Sequence, residues 1–429
     1  MSTQFRPVAG RRTGRVRSLR ARRARVGLAA LVAVSVLAAG CASFPDSAPA
    51  FSPQPSLTPP VATLVTPTVP SQSQTPSPSP TSTSGSPSSA TSTPSSGATP
   101  TGASTSTDPC APSAPPVVAR CLQAPWGLAP LPDGQSALVG ERTTGKILLV
   151  APEKEPTVVA TITGLDTSGG GGLLGIALSP YYVEDHLLYA YVTTSTDNRI
   201  LRIAPGQTPK AIFTSIPAGA GDNGGPIAFG TDGLLYVATG DAADPDAAAD
   251  PNSLAGKVLR LDAYGKPAKA NSSGTAVFSA GLTDPTGMCH LANGSIAVVD
   301  HRSTSDLLLT ARDGADFATP AEGDALWTYQ PGNGGAVDCA VSDGALLATS
   351  LAATKVTSIQ MTPQGGFTGS PQDLADGAYG RLLTIVTGPG DLVWMTTSNR
   401  DGHGKPIPSD DRVVLLPAGG GGGGGGGAD

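Results

Sequence analysis

The stretch "GDNGGPIAFGTDGLLYVATGDAAD", residues 221–244, concentrates the groups that could do chemistry. A Gly-rich turn carrying Asp222 precedes an apolar segment, a "TDG" turn and a second apolar segment ending in acid. A carboxylate in such a turn can take a proton from a substrate hydroxyl, provided burial lifts its pKa toward neutrality; otherwise it is a solvated turn residue. Just downstream, "GDAADPDAAADPNS" holds Asp241, Asp244, Asp246 and Asp250, hard oxygen donors of the type that binds Ca²⁺. No EF-hand spacing accompanies them, so a solvated loop between strands is expected there. Asp300 and His301 in "DHRS" form a further polar pair, with a strand-end role for His301 as the expectation. His186, His290 and His403 show no metal-ligand spacing. The chain contains no G-x-S-x-G elbow, no P-loop and no CxxC knuckle. The "GGGG" at 169–172 leads into an apolar segment and reads as a turn between repeats.

These residues need a scaffold, and the chain supplies one by repetition. Six copies of an apolar segment, a Gly-containing turn and a second apolar segment begin at Trp126, Gly172, Gly225, Gly287, Ala336 and Leu382, 46 to 62 residues apart. Each ends in a third apolar segment: "KILLV", "RILRI", "KVLRL", "DLLLT", "KVTSI" and "RVVLL". Short strands at this period, with no amphipathic helix, predict an all-β fold, a six-bladed β-propeller. Runs such as "LLYVA" are continuous because a blade is covered on both faces.

Composition divides the chain into four segments. Residues 1–40 form a signal peptide: nine arginines and no acid, then the apolar run "VGLAALVAVSVLAAG". "LAAGC" resembles a bacterial lipobox, which makes Cys41 the lipidated residue and implies an exported protein held at the outer face of the cytoplasmic membrane. Residues 41–109 are a disordered Ser/Thr/Pro-rich linker, able to reach on the order of 200 Å if polyproline-like. The propeller occupies 110–417, and a Gly-rich tail follows at 418–429. Losing the nine arginines takes the formal charge from −6 to about −15, which excludes nucleic acid as a partner and leaves a cell-wall glycan or envelope protein. Cys289 and Cys339 each lie five residues before a turn glycine, the same position in adjacent repeats, so they are expected to bridge; Cys110 and Cys121 then close a short loop.

The stretches "PWGLAPLPDG", "GGLLGIALSP", "GGPIAFGTDGLLYVATGDA", "LAGKVLRLDAYG" and "TTSNRDGHGKP…DDRVVLL" resemble the soluble glucose/sorbosone (aldose) dehydrogenases across nearly all of 121–417. That resemblance implies a six-bladed propeller using pyrroloquinoline quinone and calcium. The family's general-base histidine corresponds to Asp222. Its "GHRNPQG" reads "GLTDPTG", with Thr283 and Asp284 for Arg and Asn. Its cofactor-binding lysine corresponds to Ala352, with Lys355 three residues away, and of its paired arginines Arg381 matches while Leu383 does not. The Gly-Pro turn of the calcium segment is missing after His301. The expectation is a lipoprotein whose propeller has lost catalysis and serves as a binding module, with no cofactor of its own. The alternative is a divergent quinone- and calcium-dependent aldose dehydrogenase, with Asp222 as base and Arg381 and Lys355 holding the cofactor.

Overall fold

The computed structural model describes residues 108–416. Cys41, the signal peptide, nearly all of the linker and the glycine tail lie outside the described residues. Six sheets are present, as the repeats require. Their innermost strands are Pro125–Pro130, Leu173–Leu178, Gly224–Phe229, Asp284–His290, Cys339–Ser342 and Leu382–Thr387, in blades 1 to 6. Each packs against the next, and blade 6 meets blade 1 to close the ring. The recurring third segments are the third strands, from Lys146–Val150 through Val413–Leu416.

The last blade is completed from the other end of the chain. Val117–Ala119 pairs antiparallel with Val413–Leu416 and supplies the fourth strand. Blade 3 gains a short fifth strand, Ala315–Asp316, the parallel neighbour of Val277–Ala280. The acidic segment after Asp241 is not a plain loop: it folds into a one-turn helix, Pro245–Ala249, whose N-cap Asp244 accepts from Ala247 N at 3.1 Å. Asp241 and Asp250 likewise accept from Ala243 N and Asn252 N, both at 2.8 Å. Those carboxylates satisfy local backbone N–H groups, the ordinary use of aspartate in turns.

Hydrophobic burial between neighbouring sheets holds the ring together. Tyr189, Tyr191, Ile200 and Leu235 fill the space between blades 2 and 3, and Cys289, Leu308 and Leu346 that between blades 4 and 5. Close approach sets some residue identities. A Cβ on Gly175 would lie 2.2 Å from the Gly225 carbonyl, so the inner strands of blades 2 and 3 can meet there only with glycine. Both expected disulfides are formed, Cys110–Cys121 and Cys289–Cys339. The second joins adjacent innermost strands, as the matching repeat positions require. Beside it, the buried Asp338 accepts from Met288 N, Cys339 N and Ile385 N at 3.1, 2.8 and 3.0 Å, tying blades 4, 5 and 6 together. Among the described residues no helix is long and apolar enough to cross a membrane.

Candidate active site

A register irregularity recurs near the start of the innermost strand in five blades: between Pro125 and Leu128, Leu173 and Gly175, Gly224 and Ile227, Pro285 and Gly287, and Leu382 and Ile385. A bulge re-aims the side chains it displaces. Here Trp126, Leu174, Thr286 and Leu383 fall inside the irregular stretches, and all four line one cavity of about 370 Å³ at this end of the ring. The repeated bulge is therefore what builds the site.

The rest of its wall carries the ionisable groups Asp222, Asp284, His301 and Asp306. Asp222 sits in a left-handed turn (φ 51°) that places it at the cavity, half-buried rather than free in solvent. Asp284 opens the innermost strand of blade 4, and burial together with the neighbouring Asp222 carboxylate pushes its carboxyl up to about 7. Behind it, burial raises Asp300 to about 6, against the opposing pull of its ion pair with Arg302 at 2.7 Å. His301 donates or accepts through Nδ1 with Asp306 Oδ1, a bond that raises the imidazole pKa. The two residues are register partners at the mouth of one hairpin. A carboxylate-held imidazole of this kind is a competent proton acceptor once it is neutral. Sequence reasoning set His301 aside as a strand-end residue. The signal was present in "DHRSTSD", where a four-residue turn brings positions 301 and 306 opposite one another.

The other sequence-derived candidates divide. Ala352 and Leu383 line the cavity. Arg381 does not: it borders a neighbouring cavity, paired with Asp401 at 2.7 Å and donating to Leu351 O at 3.2 Å. Lys355 points elsewhere, pairing with Asp373 at 2.9 Å on the outer strands of blade 5. The structure thus brings Asp222 to the central cavity and leaves Arg381 and Lys355 outside it.

Over 96% of its length, a structure of the PQQ-bound form of aldose sugar dehydrogenase from Streptomyces coelicolor is matched by this chain at 34% identity and a TM-score of 0.66, using 70% of the residues here. The chain belongs to the glucose/sorbosone dehydrogenase family. The family profile, Glucose / Sorbosone dehydrogenase, matches residues 122–322. An oxidoreductase assigned as a glucose dehydrogenase from Thermus thermophilus is 30% identical, the match covering 70% of this chain and 98% of that one with a TM-score of 0.63. Quinoprotein glucose dehydrogenase B of Acinetobacter calcoaceticus is 27% identical over 233 residues, 44% of this chain and 48% of that one. An aldose sugar dehydrogenase of Escherichia coli K12 is 26% identical over 193 residues, 39% of this chain and 50% of its own. The chain thus spans about half the length of these curated relatives.

Membership raises the question of whether the wall suits a quinone bearing three carboxylates. Such a group needs cations around it. Three positions to which the family resemblance assigns cofactor contacts do reach the cavity, but they hold the acid Asp284 and the uncharged Ala352 and Leu383. No Lys or Arg lines this cavity among the described residues. The donor set does not fit a tricarboxylate. For a metal, no group of three or more His, Cys, Asp or Glu among the described residues is arranged to hold an ion.

Proposed function

We propose that this member of the dehydrogenase family is a ligand-binding propeller displayed at the cell envelope, with quinone-dependent catalysis lost. The observation that carries this is the charge of the central cavity: Asp222, Asp284 and Asp306 on its wall, and Ala352 and Leu383 where cations would serve the cofactor. The fold-determining glycines and turns persist while the charges required for the chemistry have changed. Fold alone does not establish activity, so the site's residues decide. A polyhydroxylated ligand suits the wall, since carboxylates and an imidazole accept hydrogen bonds from hydroxyls and Trp126 offers a flat apolar face.

The test is thermal unfolding of the full chain with pyrroloquinoline quinone and Ca²⁺, followed by dye reduction with aldoses. Ligand at 100 times its dissociation constant stabilises by about 2.7 kcal/mol, a shift of several degrees. The expected result is no quinone-dependent dye reduction and no such shift. Turnover with an aldose would overturn the proposal.

A second reading, the divergent dehydrogenase, is favoured by the His301–Asp306 pair at the cavity. On it His301 removes the sugar hydroxyl proton in place of Asp222. His301→Gln then abolishes whatever turnover is found, while Asp222→Asn leaves most of it. Display at the envelope rests on the signal and "LAAGC" motif. Labelled palmitate incorporated by the wild type, and by Cys41→Ala as well, would count against an anchor at Cys41.

A further inference from the structure

Beside the central cavity, across blades 5 and 6, lies a second one of about 470 Å³, and the two share Leu351 and Ala352. Its wall has the opposite charge: Arg381, His403, Lys405 and Arg412 line it, against the single carboxylate Asp410. The two guanidiniums are fixed from behind. Arg412 pairs with Asp410 at 2.7 Å and donates to Tyr379 O at 2.9 Å. Arg381 is held by Asp401 and Leu351. Those pairs neutralise the arginines without removing their remaining N–H donors. Lys405 is exposed, and neither its ammonium nor the His403 ring has a hydrogen-bond or ion-pair partner among the described residues. The cavity therefore presents one uncompensated cation over a rigid, donor-rich floor.

We infer that this second cavity binds a saccharide through a single anionic substituent, a carboxylate or a phosphate, with Lys405 supplying the charge. The volume falls within the range of about 300–1,000 Å³ that small-molecule sites occupy and far exceeds what a bare ion needs. Tyr379 and Thr354 add side-chain hydroxyls to the wall. The saccharide half of this inference rests on the reading that the propeller binds a polyhydroxylated ligand; the anionic half rests on the cavity itself.

Calorimetric titration of the full chain tests it, with glucuronate and glucose 6-phosphate as the anionic sugars and glucose and inorganic phosphate as controls. At least one anionic sugar is expected to bind about tenfold tighter than either control and to weaken as salt is raised. Lys405→Gln, at an exposed position, is expected to lose about tenfold of that affinity with an unchanged melting temperature. Glucuronate and glucose 6-phosphate divide the carboxylate source from the phosphate source. Anionic sugars that bind no tighter than glucose overturn the inference while leaving a glycan-binding propeller intact. Inorganic phosphate binding as tightly as the sugars overturns it in favour of an ion site, and Lys405→Gln binding like the wild type places the site elsewhere. Quinone-dependent turnover, by contrast, counts against the functional reading and not against this cavity.

Discussion

The ionisable residues of the central cavity make its acidity measurable. Asp284 is pushed up to about 7 by burial and by Asp222. In the unfolded chain it titrates near 4. Between those values the folded protein binds the proton that the unfolded chain has lost, so stability falls as pH rises. The contribution is intact below about 4 and gone above about 7. Asp284→Asn removes the titration and the repulsion together. It is expected to be more stable than wild type at pH 8, by on the order of 1–3 kcal/mol, with the difference vanishing at pH 4. Chemical denaturation at both pH values measures it, and a constant difference across the range would contradict the assignment. Asp300 and Asp338, raised to about 6 and about 8, act with the same sign, so some slope remains in the variant. Asp338→Asn is a different case. Asp338 accepts three backbone N–H bonds through two oxygens, and an amide keeps only one acceptor oxygen. A loss of about 1–3 kcal/mol is expected, read as a lower denaturant midpoint. At this scale the sequence disclosed which positions had changed charge, through Asp284, Ala352 and Leu383. It did not disclose that Arg381 faces a separate cavity, because that depends on which side of the Leu351–Ala352 wall a long side chain takes.

Strands were legible where both faces are buried and obscure where one is not. Second strands such as Leu188–Thr193, Leu235–Thr239 and Ile296–His301 run through nearly continuous buried apolar segments, and repeat starts such as Trp126, Gly225 and Leu382 fall within a residue or two of the start of the innermost strands. The fourth strands are less uniform, from "KAIFTSI" in blade 2 to "FTGSPQDL" in blade 5. Phe367–Leu374 shows no apolar pattern, while Thr157–Thr161 reads "TVVAT" yet is almost wholly exposed, so its apolar residues do not report burial. The helix Pro245–Ala249 was hidden for a related reason: one turn is too short for periodicity, and only its Asp cap and N1 proline mark it. The disulfides were legible because matching repeat positions become neighbours in a ring. Their separations, 50 residues for Cys289–Cys339 and 11 for Cys110–Cys121, give different expected contributions. Loop-closure entropy assigns about 4 kcal/mol to the longer and about 3 kcal/mol to the shorter. Replacing each pair by alanines should therefore lower the denaturant midpoint more for Cys289–Cys339. Equal losses would mean that the inner strands of blades 4 and 5 are already held by Asp338 and the cavity-end contacts.

A propeller is a ring, and its seam is where the chain ends meet. The four main strands of each of blades 1 to 5 come from one continuous stretch, but blade 6 takes its fourth strand from Val117–Ala119, more than 260 residues upstream of its first strand at Leu382. The seam is dense: Val117 and Ala119 pair with Val414 and Val413, Leu415 N donates to Pro116 O at 2.7 Å, and Leu122 N donates to Asp411 O at 3.0 Å. Val118, Ala119 and Leu122 are buried in the core shared by blades 1 and 6. No local pattern announces this, since three residues cannot show a period; only the count of strands per blade requires it. Val118→Ala should cost about 2 kcal/mol, a fall of several degrees in melting temperature for a domain of this size. A chain beginning at residue 124 loses that strand, its ladder with Val413–Leu416 and the Cys110–Cys121 bridge at once. Its melting temperature is expected to fall well below that of Val118→Ala, because an open blade 6 exposes the edge of Val413–Leu416 and releases the inner strand that carries Leu383 into the central cavity. Unfolding of the two variants side by side decides the matter. A truncated chain as stable as the full one would show that the innermost strands close the ring by themselves, and that the seam serves only to tether the linker to the blades.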